Sequence, residues 1–388
     1  MPKSVDALIN PKLLIWARLS AGMNINEASQ KLQVPIELLE SWEKGSSRPT
    51  VKQLRNAAAL YNQSFAAFYL PEPPEVFRPH WNDYRRLSSD FYGEISSALL
   101  MEVRSAVDRR LICQELYEDL KQSPPAFEAQ TSLASDPEQV GAEIRSILKV
   151  PIEDQKSWRY PSTAFSKWRV AIESIGILVF QATKISLPEM RGFSIAEFPL
   201  PVINVNRKDA YAGRIFTMFH ELTHLVLRLS SVCDLDDRSD RHPDEENVEV
   251  FCNRAAGAAL VPQDQLLNEP LIKDHRGYLW EDDDLQYLSR QYAVSREVIL
   301  RRLLIYGLTD RVFYESKRRD FQQEIKKYHK TEGFISPSSN LLSSAGKPFV
   351  RLVLNAYYAD RITTSDIYDY LGINLKHFDK VSRAVRFG

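Results

Sequence analysis

Residues Ile215-Phe-Thr-Met-Phe-His-Glu-Leu-Thr-His-Leu-Val-Leu227 carry HELTH at positions 220–224, and the fold is read outward from them. Histidines four apart on a helix share a face about one turn apart, so His220 and His224 can hold one metal ion. Glu221, beside them, is turned toward whatever that ion binds. This is the pattern of a zinc peptidase. Ile215, Met218, Phe219, Leu222, Leu225 and Val226 recur at three- and four-residue spacing, with no Gly or Pro between Arg214 and Leu229, which predicts a largely buried helix. By composition alone HExxH arises by chance with a probability on the order of one per cent.

A chain of 388 residues has room for two or three domains and a sizeable core. Lys plus Arg total 50 against 51 Asp plus Glu, and 44% of residues are hydrophobic, the profile of a soluble globular protein. Without a global charge bias, any nucleic-acid contact has to come from local patches. The cysteines are Cys113, Cys233 and Cys252, an odd number without CxxC spacing. Neither a disulfide framework nor a thiolate zinc cluster is expected, and a cytoplasmic location fits. The N-terminal stretch is interrupted by Asp6, Asn10, Pro11 and Lys12, and no segment approaches the roughly 20 apolar residues of a membrane span. No signal peptide and no membrane anchor are expected.

Residues 8–70 read as helices with short joints. Pro11–Ser20 is the first; Asn24 caps a second through Leu32; Pro35–Lys44 is the third, stopped by Gly45; and Thr50 opens a fourth. Ala28, Leu32, Val34, Leu38 and Trp42 supply the apolar contacts of a helix-turn-helix, and the segment resembles the XRE (Cro/C1-type) domain. The positions that would face DNA are Pro35, Ile36, Glu37 and Glu40, two of them carboxylates that phosphate repels. Residues 1–75 hold eight Lys or Arg and seven Asp or Glu, a net charge of plus one. A docking module for another protein, or for self-association, is the competing use.

Pro71-Glu-Pro-Pro74 marks a boundary. Residues 90–121 read as a long structural helix, Asp136-Pro137 opens a helix through Val150, and Thr163–Ser174 reads as another. Strands are expected at Ile177–Phe180, Gly192–Ile195 and Val202–Val205, a small sheet beside the metal helix. Val202–Asn206 is a candidate edge to which an extended substrate could add, with an ordinary core strand as the equal alternative.

A catalytic zinc with two histidines needs one more protein ligand. Eight acids lie between 234 and 249, most of them in what reads as a solvated loop. Glu249 differs, because it falls inside a helical segment, Asn247–Leu260, whose small residues Ala255, Ala256, Gly257, Ala258 and Ala259 permit close approach to the metal helix. It is the expected third ligand, with Asp244, Glu245 and Glu246 next in line. Cys252 and Cys233 read ordinarily as small core residues, with a thiolate occupying an open metal position as the alternative. Tyr211 and His275 are oxyanion-donor candidates by residue type alone.

The blocks RIFTMFHELTHLVL and EVFCNRAAGAALVP resemble the paired signatures of the ImmA/IrrE family of metallopeptidases. The resemblance covers about residues 140–310, and with the XRE-like start it extends to a known fusion arrangement. It implies imidazole ligands at His220 and His224, a general base at Glu221 and a carboxylate ligand at Glu249. Cys252 stands where the family commonly has Ala, and Thr223 where Gly is common, without removing a ligand. The implied activity is zinc-dependent (Zn2+) cleavage of a protein regulator, such as an XRE-type repressor, in a stress, DNA-damage or mobile-element response.

Residues 284–306 read as two helices joined at Ala293-Val-Ser295. Residues 317–388 hold thirteen Lys or Arg and seven Asp or Glu, a net of plus six. A solvated surface is the default for such charges, and a DNA or acidic-partner contact is the alternative. Ser336–Gly346, rich in Ser and Asn, reads as a loop. The expected fold is therefore α+β, mainly α. It comprises a helix-turn-helix bundle at 1–75, a helical linker at 76–135, a zincin-like peptidase domain at 136–310 and a basic helical region at 311–388. The competing function is a DNA-binding regulator or antitoxin-like protein with a structural or sensory metal site.

Overall fold

The computed structural model describes residues 5–74, 96–233, 243–327, 336–373 and 377–386. The beginning of the expected 90–121 helix and the acids Asp234, Asp236, Asp237 and Asp240 lie outside the described residues, as do the side chains of Cys233, Asp244 and Glu245. The chain divides into two compact units, Met1–Val107 and Asp108–Gly388.

In the first unit the helices are α1 (Pro11–Ser20), α2 (Ile25–Leu32), α3 (Ile36–Glu43) and α4 (Val51–Leu60). Their starts are set locally. Asn10, Asn24 and Thr50 each turn a side-chain oxygen onto an orphan backbone N–H of the first turn, and Thr50 with Gln53 closes a full capping box. Leu13, Leu14, Ala28, Leu39, Trp42, Leu54 and Phe68 form the core of this unit. Arg18 grips Glu43 through two bonds of 2.7 and 2.9 Å, tying α1 to α3. The boundary between the units falls within α5 (Ser97–Asp119).

The second unit continues with α6 (Pro137–Leu148), α7 (Ile152–Ser157), α8 (Pro161–Ser174), β1 (Leu178–Ala182), β2 (Gly192–Ile195), β3 (Val202–Asn206), α9 (Tyr211–Val226), β4 (Ser231–Cys233) and α10 (Pro243–Leu260). It ends with α11 (Gln263–Leu267), α12 (Pro270–Asp274), α13 (Asp282–Tyr292), α14 (Arg296–Ile305), α15 (Arg311–Lys327), α16 (Pro337–Ala345), α17 (Lys347–Tyr358), α18 (Thr364–Leu371) and α19 (Phe378–Arg386). The architecture is α+β and mainly α, with one small sheet. No helix among the described residues is long and apolar enough to cross a membrane.

The sheet runs β1-β3-β2-β4, with β1 and β3 parallel and the other pairs antiparallel. The proposed substrate edge at Val202–Asn206 is thus corrected: β3 is an interior strand, hydrogen-bonded on both sides. Its five residues are all buried, which reads as alternation-free and cannot by itself tell an edge from a centre. Among the described residues the outermost strand on that side is β4, for which no strand was expected. Ser336–Gly346 also differs from its loop reading. Ser336 caps the helix through Ser339 N, Pro337 takes the first turn, and Leu341 and Ala345 are buried, so packing overrides a polar composition.

Ile203 and Val205 of β3 pack on Ile215, Met218, Phe219 and Leu222 of α9, in a core shared with α6, α8, α10, α13 and α14. Helix α10 packs on both α9 and α6, and its closest approach is to α6, where Gly141 meets Ala258 and Ala259. No glycine ends α10. Instead Arg145 donates to Ala259 O, Gln155 to Leu260 O and Arg302 to Val261 O, at 2.9, 2.8 and 3.0 Å. Three buried or half-buried side chains thus satisfy the carbonyls a helix leaves open at its C-terminus. On α15, Lys317 pairs with Asp282 and Arg318 with Glu297, so part of the basic surplus is taken up within the unit.

Candidate metal centre

Helix α9 is buried from Arg214 through Val226, and His220, Glu221 and His224 are all but sealed from solvent. These three titratable side chains sit among the buried apolar residues Ile215, Phe216, Met218, Phe219, Leu222 and Leu225 of the same helix. Burial of that kind is costly unless the groups are paired with one another or with a cation.

The pairing is visible across to α10. His220 Nε2 lies 3.1 Å from His224 Nε2, and Glu249 brings Oε2 to 3.3 Å from His220 Nε2 and Oε1 to 3.3 Å from His224 Nε2. Four-coordinate zinc with nitrogen and oxygen ligands at about 2.0–2.1 Å places neighbouring donors roughly 3.4 Å apart along a tetrahedral edge. The three donor atoms therefore stand close to three vertices of such a tetrahedron, and the residues present fit a zinc ion. Among the described residues this is the group of His, Cys, Asp and Glu side chains arranged to hold a metal.

Second contacts set the rings. His220 Nδ1 is 3.1 Å from Asn253 Oδ1, one helical turn beyond Glu249. With Nδ1 carrying the proton and donating to Asn253, Nε2 keeps its lone pair for a metal. Thr223 donates to Phe219 O within α9, and so is satisfied without touching the cluster. Burial disfavours the charged forms, but the proximity of acid and base outweighs it. The carboxylate of Glu249 holds His220 above its ordinary value, and the two imidazoles hold Glu249 well below the usual carboxylate range. Glu221 accepts a hydrogen bond from Ser231 of β4 at 2.5 Å.

The structure brings His220, His224 and Glu249 together with Glu221 alongside. Glu246 is exposed on the same helix. Cys252 is fully buried but outside the converging donors, and burial, reinforced by the charges of Glu249 and Glu221, pushes its thiol well above the ordinary range. Cys252 therefore follows its ordinary reading as a small core residue, and not the alternative of a thiol at an open metal position. Neither oxyanion candidate joins the cluster. Tyr211 opens α9, two and a half turns before His220, under the guanidinium of Arg214, and His275 stacks on Trp280 with ring centroids 3.6 Å apart. Two residues of the site were missed in the sequence. Asn253 was legible from its four-residue spacing to Glu249, whereas Ser231 depends on which strand lies beside β2.

No curated protein matches the chain. Residues 172–304, which run from the end of α8 through α14 and contain the whole donor cluster, match the IrrE N-terminal-like domain of the Peptidase_M78 family, a metallopeptidase domain.

Proposed function

We propose that this protein is a zinc-dependent endopeptidase in which His220, His224 and Glu249 hold the metal and Glu221 is the general base. The observation that carries the reading is the placement of a buried carboxylate, Glu221, directly beside a three-donor cluster. Three protein ligands leave a fourth position open, as catalytic zinc sites do and closed structural sites do not. A zinc ion there supplies a Lewis acid that polarises a carbonyl and acidifies water. The protein supplies the rest. Asn253 orients His220, the apolar wall of α9 excludes bulk water, and Glu221 takes a proton and returns it to the leaving nitrogen.

An extended peptide fits the outer edge of β4, which no strand of the described residues pairs, in place of the interior β3. The resemblance to ImmA/IrrE peptidases suggests a protein regulator as substrate, such as an XRE-type repressor, cut in the cytoplasm during a stress, DNA-damage or mobile-element response. We take helices α1–α4 as an XRE-like module. With Glu37 exposed and Glu40 bound to Lys44 on its third helix, the module is better suited to a protein partner than to phosphate. The four-part division at 75, 135 and 310 is retained as the functional one.

The test is metal analysis of the purified chain beside cleavage of a fluorescence-quenched combinatorial peptide library, with wild type and Glu221→Gln in parallel. Zinc in both and cleavage by wild type alone is the expected result. Zinc in both with cleavage by neither would favour the regulator with a structural or sensory metal.

A further inference from the structure

Glu221 is sealed in the interior, and its two oxygens are treated differently. Oε2 accepts from Ser231 Oγ at 2.5 Å, while Oε1 has no hydrogen-bond partner among the described residues. Oε1 instead faces Gly192 of β2, where a Cβ would stand 3.3 Å away and only 2.4 Å from Thr217 Cγ2. A side chain at position 192 would crowd Oε1 and clash with Thr217.

Ser231 is itself held. Its Oγ lies 2.8 Å from Ser194 Oγ, and the two residues are register partners across β2 and β4. A carboxylate can only accept, so the one hydroxyl proton of Ser231 is committed to Oε2, and Ser194 must be the donor to Ser231. The next residue back helps fix the strand, since Ser230 Oγ accepts from Ala196 N at 2.9 Å. The donor to Glu221 is therefore mounted on a backbone ladder, the kind of support that holds a reacting group within the tolerance a proton transfer needs.

We propose that Ser231, supported by Ser194, is a positioning residue that pins Glu221 through Oε2 and leaves Oε1 as the atom that takes the proton. This rests on the peptidase reading above and adds the sheet to its machinery. Strand β4 then has two tasks, because it carries the pin for Glu221 as well as the edge offered to a peptide. A merely structural Ser231 would fill space and satisfy its own hydroxyl, without setting the rate of the proton-transfer step.

The test compares wild type, Ser231→Ala, Ser231→Thr and Ser194→Ala, all zinc-loaded full chain, on one fluorescence-quenched peptide selected from the library. Ser231→Ala should lose roughly 10- to 100-fold in kcat, the usual cost of removing an outer partner, with KM and zinc content unchanged. Ser231→Thr, which keeps the hydroxyl, should recover most of the rate, and Ser194→Ala should show a smaller loss in the same direction. A second readout needs no turnover. In infrared difference spectra of chain labelled with isotopic glutamate, the carboxylate band that vanishes in Glu221→Gln should shift in Ser231→Ala and return in Ser231→Thr. Wild-type kcat in Ser231→Ala, an unmoved band, or a rise in KM without loss of kcat would overturn the proposal. If wild type cuts no peptide, the peptidase reading fails, and the infrared band alone then decides whether Ser231 pins Glu221.

Discussion

Replacing Gly141 by alanine tests whether the metal site depends on how closely α6 and α10 pack. A Cβ at Gly141 would lie 2.6 Å from Ala258 Cβ, 2.7 Å from Ala259 N and 2.9 Å from Ala258 C. Carbon atoms prefer about 3.5–4.0 Å, so the helices must separate by about 1 Å, and two of the three obstacles are backbone that cannot rotate aside. Overpacking of this kind costs up to about 3 kcal/mol, and the better helix propensity of alanine returns about 1, for a net loss of about 2 kcal/mol. In a unit of this size that lowers the melting temperature by about 4–8 °C. Because α10 also carries Glu249, and metal ligands tolerate displacements of only about 0.2 Å, zinc affinity should fall roughly tenfold or more. The control is Gly257→Ala on α10, where the new Cβ meets a single side-chain atom, Arg302 Cδ at 3.3 Å, and no backbone. Thermal melts and chelator-competition titrations of both variants decide the matter. A Gly141→Ala protein that melts like wild type and binds zinc as tightly would refute the reasoning.

Three further outcomes follow from the same geometry. Glu221→Gln keeps shape and zinc but loses basicity, so cleavage should drop roughly 10²- to 10⁴-fold at unchanged metal content; equal cleavage by both proteins would remove Glu221 from the chemistry. Glu249→Ala should weaken zinc by more than the roughly 10- to 100-fold that loss of an outer partner costs, while Glu246→Ala leaves it unchanged; stoichiometric, tight zinc in Glu249→Ala would place the third ligand elsewhere. Proton competition should be visible at His220. Burial opposes its protonation, yet Glu249 raises it above the ordinary imidazole value of 6.5, so zinc affinity should begin to fall above that pH as the solution is acidified. Competition titrations showing a flat affinity from about pH 8 to about pH 6 would contradict this.

Much of the helical framework was legible because its causes are local. Asn10, Asn24, Thr50 and Ser295 cap backbone groups two or three residues ahead, and these helices begin where the sequence places them. The helix opened by Asp136 stops two residues earlier than expected, at Leu148, because Lys149 turns left-handed. The four-residue spacing of His220 and His224 likewise determines a shared face before any tertiary contact forms. Contacts between distant segments were not encoded in this way. The sequence pointed to Glu249 by its helical setting, but the 3.3 Å approach to both imidazoles depends on α10 being held between α6 and α9. Strand order was beyond reach, since β3 is buried at every position and its pattern is the same in the middle of a sheet as at a covered margin. For that reason the sequence alone determined the locally capped helices and the shared face of His220 and His224. Only the tertiary structure decided that β4 is the outer strand and that Ser231 meets Glu221, because hydrogen bonds between strands join residues that no local periodicity relates.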